Sequence, residues 1–147
     1  MYSAGTMADQ RFHVETHGKL IAARVFGLRT VDDANDYSTA LGNDAARLPT
    51  AVLLADHRPV VIYPQDVADR LAELFIAMNT RLDRVAIIVA RSNATLALQL
   101  ERLVRQAKYT NRRVFYAPDD AIAHLEPVLS APEIARAREF LVGIRPS

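Results

Sequence analysis

Hydrophobic positions follow two different periods along this chain. Apolar residues alternate with polar ones from Arg11 to Thr16, the period of a half-buried strand, and a second apolar stretch runs from Leu20 to Phe26. The residues between them, His17 and Gly18, indicate a turn, because glycine adopts positive φ without steric cost. The pattern therefore predicts two antiparallel strands joined as a hairpin.

From residue 30 onward, stretches with helical spacing alternate with short apolar runs. Thr50 to Ala55 and Val85 to Ala90 are continuous and apolar, which is typical of strands covered on both faces, and Val114 to Tyr116 predicts a shorter strand. The second predicted helix is expected to bury an apolar stripe from Val67 to Leu82. Helix starts are indicated by capping residues or by a proline in the first turn, at Thr30, Pro64, Ser92 or Asn93, Pro118 and Ser130.

This order of elements predicts the fold class. It reads strand, strand, three alternations of helix and strand, and two final helices, and we abbreviate it ββαβαβαα. We expect an α/β fold with a mixed five-stranded sheet. Residues 11–147 are predicted to form a single domain, and residues 1–10, which are small and polar, are predicted to be a disordered tail.

Composition narrows the classes of protein to which the chain belongs. The 147 residues carry 18 basic and 17 acidic side chains, and a net charge of +1 gives no overall attraction to nucleic acid or to an anionic membrane. The absence of cysteine excludes disulfides, thiolate catalysis and cysteine-based metal sites. No apolar stretch approaches the roughly 20 residues that span a bilayer, so we expect no membrane span. The absence of cysteine is compatible with a reducing cytoplasm, where we expect the protein to be located.

Polar residues follow both of the buried strands. Residues 56–58 come directly after the first strand, and residues 91–93 come directly after the second. The carboxyl ends of parallel strands lie at the same edge of a sheet, where α/β proteins bind ligands. The predicted partner- or ligand-binding residues at this edge are Asp56, His57, Arg58, Tyr63, Arg91, Ser92 and Asn93.

The first of these groups has two interpretations. In a functional interpretation, Asp56 orients His57 or Arg58 toward an anion or a carboxylate of a partner. In a structural interpretation, Asp56 accepts backbone N–H groups in the loop and forms an ion pair with Arg58. Both interpretations are open at the level of the sequence.

The second group and the loop after Arg58 also allow alternatives. Arg91 and the free N–H groups of the next helix either bind a phosphate or carboxylate, or Ser92 or Asn93 simply caps that helix. The apolar loop residues from Val60 to Tyr63 are either buried under the fold or exposed as a binding lip.

Recognised catalytic and cofactor-binding motifs are absent from the sequence. It contains no G-x-G-x-x-G motif, no P-loop and no G-x-S-x-G nucleophile elbow. The four histidines form no recognised metal-binding motif, so neither a metal nor a cofactor is predicted. A basic stretch from Arg102 to Arg113 indicates a solvated helix end, a surface for an acidic protein or a nucleic-acid site; the near-neutral net charge argues against nucleic acid.

The chain resembles the STAS-like families, which include anti-anti-sigma factor domains and relatives with a CRAL-TRIO-type sheet. The resemblance covers residues 11–142 and rests on strand order and on Ala51–Arg58, Arg84–Asn93 and Arg113–Leu125. It implies a small cytoplasmic regulatory or interaction domain rather than an enzyme. Anti-anti-sigma members carry a phosphorylated Ser that would fall in the loop Asp56–Gln65, but this loop has neither Ser nor Thr, so we expect no such switch.

The resemblance and the missing catalytic signatures lead to one main hypothesis. We expect a non-enzymatic STAS-like domain that contacts a regulatory protein through loops 56–65 and 91–93, and a homodimer is a further possibility. The alternative is a module that binds a lipid or another small apolar or anionic molecule on the same scaffold. A third hypothesis, an enzyme with His57 and Asp56 as an acid–base pair, lacks a nucleophile or a cofactor cradle.

Overall fold

The computed structural model describes residues 11–142. Their elements follow the order ββαβαβαβαα. The strands are β1 (Phe12–His17), β2 (Leu20–Val25), β3 (Ala51–Asp56), β4 (Leu82–Ile88) and β5 (Arg112–Phe115). The helices are α1 (Val31–Ala46), α2 (Gln65–Met78), α3 (Ala94–Ala107), α4 (Pro118–Leu125) and α5 (Ala131–Val142), and a 3₁₀ turn, Glu126–Val128, separates the last two.

A mixed five-stranded sheet confirms the predicted α/β fold class. The strands lie in the order β1-β2-β3-β4-β5; β1 is antiparallel to β2, and all other neighbours are parallel. The abbreviation ββαβαβαα is wrong by one αβ unit. It leaves out a strand, and the weakest strand signal belongs to the four-residue edge strand β5.

Helices cover both faces of the sheet, so the fold has three layers. One face packs against α1, α2 and α3 and contributes Leu53 and Ile87 to the larger core. The other face packs against α4 and α5 and contributes Leu54 and Ile88 to a second core. Because successive side chains of a strand point to opposite faces, β3 and β4 supply both cores. Their continuous apolar sequences follow from this arrangement.

The helices begin where capping residues predict. Thr30 Oγ1 accepts a hydrogen bond from Asp33 N at 3.1 Å, and the Asp33 carboxylate accepts one from Thr30 N at 3.2 Å, which completes a capping box for α1. Ser130 and Glu133 form the same arrangement at α5. Each box satisfies backbone donors that a helix start otherwise leaves without partners.

One predicted helix boundary is wrong. α2 ends at Met78 with Asn79 as its C-cap, and Leu82 begins β4 instead of extending the apolar stripe of the helix. Leu82 is nevertheless buried in the core that α2 covers. Because Leu82 is buried and lies at helical spacing from Met78, the hydrophobic pattern alone does not show that the helix ends before Leu82.

Gly18, in the turn between β1 and β2, is expected to tolerate no side chain. Its φ is +61°, and a Cβ atom at this position would clash with Glu133 Oε2. This oxygen accepts a hydrogen bond from Lys19 N at 2.8 Å, so it cannot move away freely. We expect Gly18→Ala to lower the free energy of unfolding in urea by about 2 kcal/mol, mainly through the left-handed backbone conformation.

Gly27 offers the matched control for this substitution. A Cβ atom at Gly27 would meet no heavy atom within 4 Å, so Gly27→Ala is expected to change the free energy of unfolding by less than about 0.5 kcal/mol. Equal losses for both variants would contradict the role assigned to Gly18.

No helix within residues 11–142 combines the length and the apolar character that crossing a membrane requires. The predicted disordered tail, residues 1–10, lies outside the described residues, as do residues 143–147.

Candidate functional site

The carboxyl ends of β3 and β4 are neighbours, as the sequence predicts. Asp56 is paired with Ile88 in the ladder, and His57 N donates a hydrogen bond to Ile88 O at 2.8 Å. The three polar residues nevertheless separate, because side chains alternate along a strand. Asp56 and Arg58 lie on the side of α5, whereas the His57 ring lies on the side of α1 and α2.

Asp56 is completely buried, and each of its carboxylate oxygens accepts two hydrogen bonds. Oδ1 accepts hydrogen bonds from the backbone N and from Nε of Arg58, at 3.0 and 2.9 Å. Oδ2 accepts hydrogen bonds from Arg58 Nη2 at 3.0 Å and from Arg24 Nε at 2.9 Å. Burial raises the pKa of Asp56, but the hydrogen bonds from the two arginines lower it by a larger amount. The pKa of Asp56 therefore lies below its ordinary value of 3.8. These hydrogen bonds are the contacts that the structural interpretation of Asp56 predicts.

The same two arginines hold the end of α5. Arg24 Nη2 donates to Phe140 O, and Arg58 Nη2 donates to Leu141 O at 2.7 Å. The Arg24 guanidinium also lies over the Phe140 ring, 4.1 Å from its centre. The last carbonyl groups of a helix lack partners within the helix and attract cations. The network around Asp56 therefore fastens α5 to the ends of β2 and β3.

His57 is 2% exposed and contacts Tyr63 rather than Asp56. Its Nδ1 lies at hydrogen-bond distance, 2.7 Å, from Tyr63 Oη. Burial lowers the pKa of His57 from its ordinary 6.5 to about 4, although the charge of Asp56 acts in the opposite direction. His57 is therefore neutral at pH 7. The acid–base pair of the third hypothesis is wrong, because the hydrogen-bond partners of Asp56 and His57 lie on opposite faces of the sheet.

An internal cavity of about 20 Å³ lies beside His57. Most of its lining is apolar, and Tyr37 and Arg112 are its other polar residues. A space of this size exceeds the roughly 10–15 Å³ that one water molecule needs. It is far below the ~300–1,000 Å³ of pockets for drug-sized ligands.

The loop after β3 is fastened to the start of α3. Asn93 caps α3 by accepting a hydrogen bond from Leu96 N at 3.0 Å, and its Nδ2 donates to Val61 O at 2.8 Å. Gln99 accepts a hydrogen bond from Tyr63 N at 3.1 Å and donates one to Tyr63 O at 2.9 Å. Asn93 is therefore the capping residue, and it also holds the loop in place.

The apolar residues of this loop divide into two buried and two exposed ones. Val60 and Tyr63 are buried, whereas Val61 is 77% and Ile62 is 45% exposed. Leu98 on α3 is 67% exposed. Ile62 and Leu98 border the same open groove of about 370 Å³. The two interpretations of the loop, buried and exposed, each apply to half of it.

Basic side chains border this groove, and the basic stretch divides into an exposed and a buried part. Arg102 and Arg105 line the groove and are exposed. Arg112 is buried instead: its guanidinium donates to Phe75 O at 3.0 Å and to Asn79 Oδ1 at 2.7 Å at the end of α2. Arg112 therefore supports the end of α2 and is not available to a partner. Arg102 and Arg105, in contrast, are exposed at the groove.

The structure places the predicted site residues in three settings. Asp56, His57 and Tyr63 are buried, and Arg91 and Ser92 are exposed. The remaining two hold the structure together, Arg58 at the end of α5 and Asn93 at the loop. Whether these residues contact a partner stays a prediction, but a partner at the surface would not reach the buried ones directly.

Arg24, Gln99 and Leu98 are not among the residues that the sequence predicts for the site. Arg24 interrupts the apolar run of β2 at the position paired with Asp56, which is a signal that could have revealed the network. Leu98 is apolar at a position outside the buried stripe of α3, which is likewise visible in the helical pattern. Gln99 offers no such signal.

Within residues 11–142 no group of three His, Asp or Glu side chains is arranged to hold a metal ion. No model of a protein family matches the chain, and neither a curated protein nor a solved structure is significantly similar to it. Nothing in these comparisons points to an enzyme.

Proposed function

We propose that the chain is a STAS-like regulatory domain that acts by binding another protein. The binding site, which we name the contact surface, consists of Val61, Ile62, Leu98, Arg102 and Arg105. The observation that carries the proposal is the exposure of Val61 and Ile62 in the loop after β3 and of Leu98 on α3, which borders the same groove as Ile62. Clustered exposed apolar side chains are characteristic of interaction sites.

The contact surface is held in a fixed shape before a partner arrives. Asn93 and Gln99 hold the loop through side-chain hydrogen bonds to its backbone, and Tyr63 anchors it in the core beside His57. A preformed loop loses little conformational entropy when it binds. In this proposal, the predicted residues His57, Tyr63 and Asn93 position the surface, whereas Asp56 and Arg58 hold α5 on the other face of the sheet.

The chemistry of the contact surface defines the partner. Ile62 and Leu98 offer apolar area, and Arg102 and Arg105 line the same groove. Neither arginine forms an ion pair within residues 11–142. A complementary partner therefore presents an amphipathic segment with apolar side chains flanked by carboxylates. Such a segment belongs to a regulatory protein in this proposal.

The substitution Leu98→Glu is expected to weaken partner binding by at least about tenfold. A carboxylate at this position replaces apolar contact area and repels the acidic partner. Proteins captured from native lysate by the wild type and the variant are quantified by mass spectrometry, and the affinity for the captured partner is then measured by titration.

Ile76→Glu provides the matched control, because Ile76 is 53% exposed on α2 and lies outside the contact surface. The control is expected to bind like the wild type. A partner that is retained equally by both variants would contradict the proposed surface, and raised salt is expected to weaken the wild-type complex.

The small-molecule alternative has less support. The cavity of about 20 Å³ beside His57 is too small for a lipid chain. A native mass spectrum with an added mass that disappears on denaturation would nevertheless favour a bound ligand over the proposal made here.

A further inference from the structure

The edge strand β1 has no strand on its outer side within residues 11–142. It contains six residues and is bordered on its inner side by β2 alone. An open strand edge exposes unpaired N–H and C=O groups that can pair with another chain. The opposite edge strand, β5, is shorter, with four residues, and carries the exposed Arg113.

The free backbone groups of β1 can be assigned to individual residues. Arg11 O accepts a hydrogen bond from Phe26 N at 2.8 Å, so Arg11 points its backbone groups toward β2. In an antiparallel ladder this direction alternates from residue to residue. His13, Glu15 and His17 therefore bond to β2, which leaves the N–H and C=O groups of residues 12, 14 and 16 directed outward.

We propose that two copies of this chain form a dimer in which β1 pairs antiparallel with β1 of the second copy. The two sheets then become one continuous sheet of ten strands. A twofold axis perpendicular to the sheet at Val14 places Val14 opposite Val14 of the second copy. In this register Phe12 and Thr16 pair with each other across the interface, so all three outward-directed residues of each copy find partners.

The side chains of His13 and Glu15 favour the same register. His13 and Glu15 point to the face covered by α5, where Glu15 Oε2 accepts a hydrogen bond from Arg136 Nη2 at 2.7 Å. With Val14 at the axis, His13 of each copy lies opposite Glu15 of the other. A shift by two residues would place the two Glu15 carboxylates opposite each other, and like charges in that position are unfavourable.

The side chains on the other face of β1, toward α1, are also compatible with a twofold axis at Val14. Val14 is half-buried beside the core under α1, and two valines on the axis would contact each other across the interface. The interface therefore combines backbone hydrogen bonds, an apolar pair and two complementary His–Glu pairs. A second copy is the occupant that satisfies all three, because an antiparallel pair is complementary to itself.

The substitution Val14→Pro tests the proposal on the full-length chain. It removes an outward N–H group without removing a hydrogen bond to β2, and proline is tolerated in edge strands at such positions. In sedimentation-velocity experiments the wild type is expected to show twice the 16.3 kDa mass of one chain. Val14→Pro is expected to show the mass of a single chain at the same concentration.

Val14→Ala is the matched control, since it removes the side chain but keeps the N–H group, and it is expected to remain dimeric. Circular dichroism and urea titration establish that both variants are folded. His13→Glu is expected to weaken the dimer as well, most strongly at low salt, because it places two carboxylates opposite each other.

Hydrogen exchange of the unmodified protein gives an independent result, even if the proline variant does not fold. Amides of residues 12, 14 and 16 are expected to gain protection as the protein concentration rises, whereas those of residues 13, 15 and 17 are protected throughout. A monomer at all concentrations would overturn the proposal. So would a dimer that leaves exchange at residues 12, 14 and 16 independent of concentration.

Discussion

Replacing Asp56 with alanine is expected to lower the free energy of unfolding by about 3–5 kcal/mol, the range for breaking a buried ion pair from one side. The substitution removes the acceptor of four hydrogen bonds from Arg24 and Arg58. Both guanidinium groups are largely buried, with side chains 12% and 18% exposed, and would keep their charge without a counterion. The end of α5 would lose its support at the same time. Urea titration at pH 7 measures the loss.

Asp36→Ala is the matched control for Asp56→Ala. Asp36 also forms an ion pair with an arginine, since Arg11 Nη1 lies 2.7 Å from its Oδ2, but its side chain is 58% exposed. Exposed ion pairs contribute about 1 kcal/mol or less, so the control is expected to lose no more than that. Similar losses for both aspartates would show that Asp56 is not the centre of the network.

Much of the fold was predictable because local signals and burial agree. Thr30 with Asp33 and Ser130 with Glu133 mark helix starts through contacts between residues three apart, and such contacts are visible in the sequence. The strands β3 and β4 are continuously apolar because helices cover both faces of the sheet. The boundary at Leu82 could not be predicted in this way, since a residue buried by α2 is also buried as part of β4.

The candidate site was less predictable because its contacts join distant parts of the chain. Asp56 depends on Arg24, 32 positions earlier, and on the carbonyl groups that Arg24 and Arg58 bind at the end of α5. Sequence adjacency suggested that Asp56 and His57 act together. Strand geometry separates them, because neighbouring side chains point to opposite faces.

The two proposals can be distinguished by their variants. The dimer places the β1 strands at its centre, so the contact surfaces on α3 lie toward its two outer ends. A partner with two binding segments would gain from simultaneous engagement of both surfaces. Val14→Pro would then reduce avidity without altering the affinity of one surface, whereas Leu98→Glu would reduce that affinity in monomer and dimer alike.

Lowering the pH from 7 to 5 is expected to reduce the free energy of unfolding by about 2 kcal/mol through His57 alone. Burial lowers the pKa of His57 in the folded protein to about 4, whereas the unfolded chain titrates near 6.5. The unfolded state therefore binds a proton first. The contribution of His57 is complete above pH 6.5 and is lost as the pH falls toward 4, by about 3 kcal/mol in total.

His57→Gln isolates this effect, because glutamine keeps a polar side chain beside Tyr63 but does not titrate. Urea titrations of both proteins at pH 7 and pH 5 are expected to show a smaller loss for the variant by about 2 kcal/mol. Burial also lowers the pKa of His124, but this residue is present in both proteins, so its contribution cancels in the comparison. The hydrogen bonds to Asp56 keep its pKa below 3.8, so its contribution to the free energy of unfolding is lost only below the pH range of this experiment. An identical pH dependence in both proteins would mean that His57 accepts a proton as readily in the folded protein as in the unfolded chain.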